Sequence, residues 1–471
     1  MNDGSGPVRL REPMEALARS PESFLHDLRF PPPDEIRVYD DTLRDGEQMP
    51  GVAFSPETKY EIARRLSDIG VHCMDVGFPA VSPSERVTLG LILDGRRRGE
   101  LREDLEIVCM MRASRSDIEM TARCVEQFGF PPDAITYLIF TSGSDLHIKY
   151  KLGRSLLQRD GLPESDWLEM PLSYYRDANI RMVTDAIAFA RSLGAAEVEY
   201  GAEDGSRADL DYLVRLHRAG RDAGGTRNAL ADTVGCYSPY GVREQVAHVR
   251  AGTPDLPFGL HFHNDLGLGA WNTVVGLGSG ADYFMTSVNG IGERTGNAPM
   301  HQVLLQLRYL FGVELPGFKY EKMRELSQFM ERVSGVPVQP TEPGIGCNVF
   351  SHESGIHTAG MLIHPSIYQF IPPADWGAEV QYVYGKHSGA LSVETALRDA
   401  GLDCSPELVA SVLTEVKRIR EERALHTDFA RFQRMYQKHI AGLGLYVDDV
   451  VELGRALIQR HAALSTLDQA S

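Results

Sequence analysis

The sequence predicts an α/β chain: a (β/α)8 TIM barrel followed by small, mostly helical subdomains. Three observations predict it. From Ile36 onward, short apolar segments alternate with amphipathic stretches eight times over roughly 250 residues, the length that eight strand–helix pairs require. No GxGxxG follows the first apolar segment, which disfavours a doubly wound open sheet. The polar clusters fall just after apolar segments one, seven and eight, which lie side by side when a sheet closes on itself.

The elements follow in chain order. Residues 1–33 read as an N-terminal extension closed by Pro31, Pro32 and Pro33. It lacks the apolar core of a secretion signal, and no run of the chain is long enough to span a bilayer. The barrel is expected over 34–315, with strands at Ile36–Asp41, Val71–Phe78, Glu106–Met111, Ala134–Phe140, Glu197–Tyr200, Asn228–Thr233, Phe258–His263 and Asp282–Val288. The first helix is marked by Ser55 as N-cap, Pro56 in its first turn and Gly70 as its stop. Between them Tyr60, Ala63, Leu66 and Ile69 recur at helical spacing. A further subdomain is expected over 316–395, and a C-terminal helical one over 396–471, where SPELVASVLTEVKRIREER is the clearest helix.

Composition narrows the function. Lys+Arg 48 against Asp+Glu 65 gives a net charge of −17, which argues against nucleic acid or an anionic membrane as partner. The six cysteines are scattered without a CxxC pair, as expected for reduced core thiols in a cytoplasmic protein.

HFHND (His261 to Asp265) ends the seventh strand. Side chains two apart on a strand share a face, so His261 and His263 either hydrogen-bond there or bind a divalent metal. DTLRDGEQ (Asp41 to Gln48) follows strand one, and NGIGERTGNAP (Asn289 to Pro299) follows strand eight. A carboxylate from the first, the two imidazoles and an amide oxygen from the third would form a mixed N/O metal site at the rim. Taken alone, Arg44 reads as a rim ion pair with Asp40, Asp41 or Glu47, Glu203 as a solvated loop acid, and Thr233 as a helix cap.

DTLRDGEQMPGVAFS, DVGFPAVSP, HFHNDLGLGAWN and NGIGERTGNAP together resemble the DRE-TIM metallolyase superfamily. Within it the chain is similar to homocitrate synthases and 2-isopropylmalate synthases, which condense an acyl-CoA with a 2-oxo acid. The resemblance runs from about Ile36 to Gly389. It implies Asp45, His261, His263 and Asn297 as ligands of a divalent metal, a donor set that suits Zn, Mn or Co, with Mg possible. It also implies Arg44 at the oxo-acid carbonyl oxygen, Glu203 as a catalytic glutamate across the rim, and Thr233 at the oxo acid's carboxylate. FSHESGIHTAGML and VYGKHSGALS resemble the synthases' linker subdomains, whose second HESGIH histidine, here His357, enters the partner's active site. Acetyl-CoA, a 2-oxo acid and an interlocked homodimer are therefore expected. His352 and His387 are expected to be structural. A metal-dependent carbon–carbon lyase and a non-catalytic 2-oxo acid or CoA sensor are the alternatives. No leucine-sensing regulatory domain is expected.

Four departures bear on these expectations. DDTLRDGEQ replaces the usual DTTLRDGEQ, and Asp75 stands where the synthases carry glutamate. Thr136 matches a strand-four histidine of isopropylmalate synthases and is expected to face the oxo acid's side chain. Asp160 to Asn179 is longer than expected. GVAFS leans toward homocitrate synthases and GFPAVSP toward isopropylmalate synthases, which leaves the oxo acid open.

Overall fold

In a computed structural model describing residues 27–425 and 429–468, eight parallel strands close into a barrel in the order β1 to β8. They are β1 Arg37–Asp40, β2 Cys73–Asp75, β3 Glu106–Arg112, β4 Thr136–Ser142, β5 Glu197–Glu203, β6 Arg227–Asp232, β7 Phe258–Phe262 and β8 Tyr283–Thr286. Closure runs through β1 and β8, with Asp40 opposite Thr286. The connecting helices include α1 Pro56–Ile69, α2 Pro83–Arg97, α3 Arg115–Gln127, α4 Gly153–Arg159, α5 Leu172–Ser192, α6 Leu210–Asp222, α7 Pro239–Gly252, α8 Gly269–Leu277 and α9 Met300–Phe311. The expected α/β barrel is the observed one.

Helix α1 shows why the local signals were readable. The Ser55 side chain accepts from the Thr58 N–H, Pro56 opens the helix, and Gly70 ends it at φ 109°, where a side chain would be strained. Its Lys59 is buried, and its ammonium is neutralised by Glu47 at 2.6 Å and Glu85 at 2.5 Å. That ties the loop after β1 to α1 and α2. Residues 1–26 of the expected extension lie outside the described residues. In the remainder, the Arg29 N–H donates to the Gly278 carbonyl at 2.7 Å, and Phe30 packs on Phe311.

Every strand shifts at one or both ends, β2 shrinking from the expected Val71–Phe78 to Cys73–Asp75, and the shifts of β4 and β5 bear on the site. β4 starts at Thr136 because Pro132–Ala134 forms a 3-10 turn instead. β5 continues to Glu203 because Gly201 and Ala202, weak strand formers alone, pair with Phe140 and Thr141. The first shift overturns one site expectation. Thr136 sits at the bottom of β4, away from the C-terminal rim, and its hydroxyl donates to Glu106 at 2.6 Å. It belongs to a buried polar plug in which Arg227 is held by Glu106 and Glu199, each at 2.7 Å. Thr136 therefore does not face an oxo acid.

After the barrel come α10 Met323–Ser334, α11 Gly355–Ile363 and α12 Ala390–Asp399, with a two-stranded parallel sheet of β9 Ser351–His352 and β10 Gln381–Tyr382. Trp376 is fully buried and donates to the Tyr309 hydroxyl at 3.2 Å, which fastens this region to the barrel. Helices α13 Pro406–Leu425, α14 Phe429–Ala441 and α15 Val447–Asp468 complete the described chain. Among the described residues, no helix is long and apolar enough to cross a membrane.

One buried histidine predicts an acid sensitivity. His217 of α6 lies between Tyr200 and Phe258, beside the Asn228 amide, and burial pushes its pKa down from 6.5 to about 3. Below pH 6.5 the unfolded chain's histidine takes up a proton that folded His217 refuses. Stability from this group is thus complete above about pH 6.5 and lost on acidification, by up to about 1.4 kcal/mol per pH unit. The urea midpoint should fall between about pH 7 and about pH 4.5, and less steeply for His217→Gln. Parallel slopes for the two proteins would overturn the assignment.

Candidate active site

The rim loop after β1 is short and tightly held. The N–H groups of Arg44, Asp45 and Gly46 all donate to the Asp41 carbonyl, at 3.1, 2.9 and 3.1 Å. The Thr42 hydroxyl donates to Asp40 at 2.8 Å and accepts from the Val288 N–H at 2.9 Å, which locks this loop to the one after β8. Beyond β7, His263 and Asn297 form an isolated antiparallel bridge. Gly292 permits the approach: a Cβ there would lie 2.6 Å from Asn297 Nδ2 and 3.1 Å from Asp45 Oδ1.

These constraints bring three buried donors together. Ligand atoms of Asp45, His261 and His263 lie within 4.8 Å of one another, and the two Nε2 atoms face each other at 3.2 Å. Asn297 donates to Asp45 Oδ1 at 3.1 Å, while its own Oδ1 is buried without a hydrogen-bond partner. Two imidazoles and a carboxylate grouped this closely, with an orphaned amide oxygen on the side chain that bonds the carboxylate, fit a divalent cation. Burial, with a smaller push from His261, lowers the His263 pKa to about 3 and keeps the ring neutral, as a ligand must be. Burial opposes ionisation of Asp45, but Arg44, His261 and His263 hold it well below the usual carboxylate range. His261 Nδ1 lies 2.9 Å from Asp41 Oδ2, the kind of outer contact that orients a ligating ring.

Arg44 lies beside this cluster. Its Nε donates to Asp75 at 2.7 Å, its Nη1 pairs with Asp45, and Asp41 is 4.0 Å away. The shorter Asp75 thus still reaches the arginine. Burial pushes the Asp75 carboxyl up to about 6 against the pull of Arg44.

A cavity of about 360 Å³ opens over the barrel, lined by Arg44, Asp45, His261, His263, Glu203 and Thr233. Asn297 does not line it but bonds Asp45, and neither Thr136 nor His357 lines the cavity. Glu203, the last residue of β5, pairs with Lys151. The Thr233 hydroxyl accepts from the Asp204 N–H at 2.8 Å, so it caps a neighbouring turn rather than a helix. His357 is exposed on α11 and stacks on Tyr368 at 4.1 Å.

Sequence reasoning missed Lys151 and Arg294, which also line the cavity. Arg294 stood inside the GERTGN motif without a role. It pairs twice with Asp265 at 2.9 Å and donates to the Thr233 carbonyl at 2.6 Å. Its φ of 58°, with 57° at Asp204 and Asn289, makes these the non-glycine residues in the left-handed region among those described. All three lie in rim loops, where such strain is commonly held for function.

Residues 35–159 and 163–330 match the HMGL-like family, and residues 345–424 match a domain described as homocitrate synthase post-HMGL domain-like. The chain belongs to the HMGL-like family. Homocitrate synthase AksA of Methanopyrus kandleri is 36% identical over 396 residues, covering 84% of this chain and 90% of that one. A probable 2-isopropylmalate synthase of Ignicoccus hospitalis is 37% identical over 389 residues, covering 82% and 88%. The hydroxymethylglutaryl-CoA lyase structure from Pseudomonas aeruginosa superposes with a TM-score of 0.51 at 19% identity, covering 66% of this chain and 95% of that one, a likeness of fold alone. The break in the HMGL-like match, at 160–162, falls within the stretch that reads as unusually long.

Proposed function

We propose that this protein is an acyl-CoA:2-oxo acid C-acyltransferase of the homocitrate synthase and 2-isopropylmalate synthase type. It condenses acetyl-CoA with a 2-oxo acid to a 2-substituted malate and free CoA. The observation that carries this is one chain joining an HMGL-like barrel to a homocitrate synthase post-HMGL domain. Relatives named homocitrate synthase and 2-isopropylmalate synthase that match over most of their length support it. Nothing favours the lyase or the sensor.

In this reading Asp45, His261, His263 and Asn297 hold a divalent metal, with Zn, Mn or Co suited to the donors better than Mg. When bound, that ion supplies Lewis-acid polarisation of the oxo group. Thr233 orients the oxo acid's carboxylate. Glu203 and His357 serve the removal of a proton from the acetyl methyl group. The electron pair released forms the carbon–carbon bond to C2, and the oxo oxygen becomes an alkoxide that Arg44 stabilises before it takes a proton. Water then cleaves the thioester, releasing CoA as thiol and leaving a carboxylate. Residues 34–315 form the catalytic barrel, 316–395 the linker subdomain that carries His357, and 396–471 the C-terminal helical subdomain.

His357 acts in the partner's site of a homodimer. Supporting this, it is exposed and outside its own chain's cavity, next to Ile356, which is 75% exposed. The purified, metal-loaded protein should release thiol from acetyl-CoA when a 2-oxo acid is supplied. No release with any 2-oxo acid would overturn the reading. Mixing inactive Glu203→Ala and His357→Ala chains should recover up to about a quarter of wild-type activity, because half of randomly paired dimers carry one intact site. Verified subunit exchange without recovery would exclude delivery in trans.

A further inference from the structure

One side of the cavity is hollow and apolar. Gly201 of β5 lies in register between Phe140 of β4 and Ala229 of β6, all three lining the cavity. A Cβ built on Gly201 would meet no heavy atom within 4 Å, and its φ is outside the left-handed region. The backbone there does not require glycine. What the missing side chain provides is space. Ala229 and Ala231 continue the hollow along β6, and Ala231 lies in register with His261, so the space opens beside the candidate metal ligands. Met110, Leu138 and Met285 complete its lining.

Charge excludes one class of occupant. Each cation lining the cavity is already held by a carboxylate: Arg44 by Asp75 and Asp45, Lys151 by Glu203, and Arg294 by Asp265. Arg227 of the barrel plug is committed to Glu199 and Glu106. A second substrate carboxylate in the hollow would be stripped of water with no free cation among the described lining residues to receive it.

Resting on the condensation reading above, we propose that this hollow takes the side chain of the 2-oxo acid, that the side chain is an uncharged aliphatic group, and that Gly201 sets its upper size. The substrate class is then the short and branched-chain aliphatic 2-oxo acids. Dicarboxylic ones are excluded.

The test measures thiol release by the metal-loaded enzyme with acetyl-CoA and a panel of pyruvate, 2-oxobutanoate, 2-oxoisovalerate, 2-oxo-4-methylvalerate and 2-oxoglutarate. The best aliphatic acid should exceed 2-oxoglutarate in kcat/KM by at least about 100-fold. Gly201→Val should raise the ratio of pyruvate to branched-chain kcat/KM by about 10- to 200-fold, and Gly201→Ala by less. Gly201→Ala carries the same test if Gly201→Val does not fold. A wild-type preference for 2-oxoglutarate overturns the proposal while leaving the condensation reading intact. An unchanged rank order in folded variants overturns the role of Gly201. Silence toward every acid fails the condensation reading itself, and this proposal with it.

Discussion

His263→Ala should abolish thiol release, lowering kcat/KM by about 10³-fold or more, while the chain stays folded and loses its metal. The polarisation a bound divalent ion supplies is worth several kcal/mol, and each 1.4 kcal/mol is about tenfold in rate. The fold should survive because His263 lies just past the end of β7, and its nearest polar partner is His261 rather than the core. Metal content by elemental analysis, thermal unfolding and kcat/KM check the three parts separately. A chelator should reproduce the loss in the wild type, with recovery on adding metal back. A metal-free variant with wild-type activity would overturn the site.

Arg44→Lys should lower kcat by about 10² to 10³-fold, the usual cost of removing a preorganised donor from a developing oxyanion. The guanidinium reaches Asp75 through Nε and Asp45 through Nη1. An ammonium group is a single point and cannot keep both contacts while facing the alkoxide. Metal content should stay at the wild-type level, and KM for the oxo acid should change far less than kcat, because this charge develops only in the transition state. A fall of less than about threefold in kcat would remove Arg44 from the chemistry.

The contrast between Asp45 and Thr136 shows how far the sequence could be read. Asp45, His261, His263 and Asn297 sit in short motifs anchored at strand ends, where an error of one or two residues in a strand boundary leaves a loop residue on the same rim. Thr136 belongs to a strand of seven residues, along which a two-residue step separates the cavity-lining Leu138 from the buried plug. Asp75, one methylene shorter than the glutamate it replaces, is still brought by the backbone to 2.7 Å from Arg44. Lys151 carried no motif, and only the path of the chain between β4 and α4 delivers it to Glu203.

The sequence by itself determined the barrel, because each strand and helix is specified by local periodicity, caps and glycines that act over a few residues. It also carried the donor types at the rim, because closure of eight alternating strands sets the polar clusters after strands one, seven and eight side by side. Only the tertiary structure decided which atoms meet. The orphaned Asn297 oxygen, the pairing of every cavity cation and the empty space over Gly201 depend on register and on close approach between residues far apart in the chain. Those distances are set by packing the whole barrel at once, and no local run of residues encodes them.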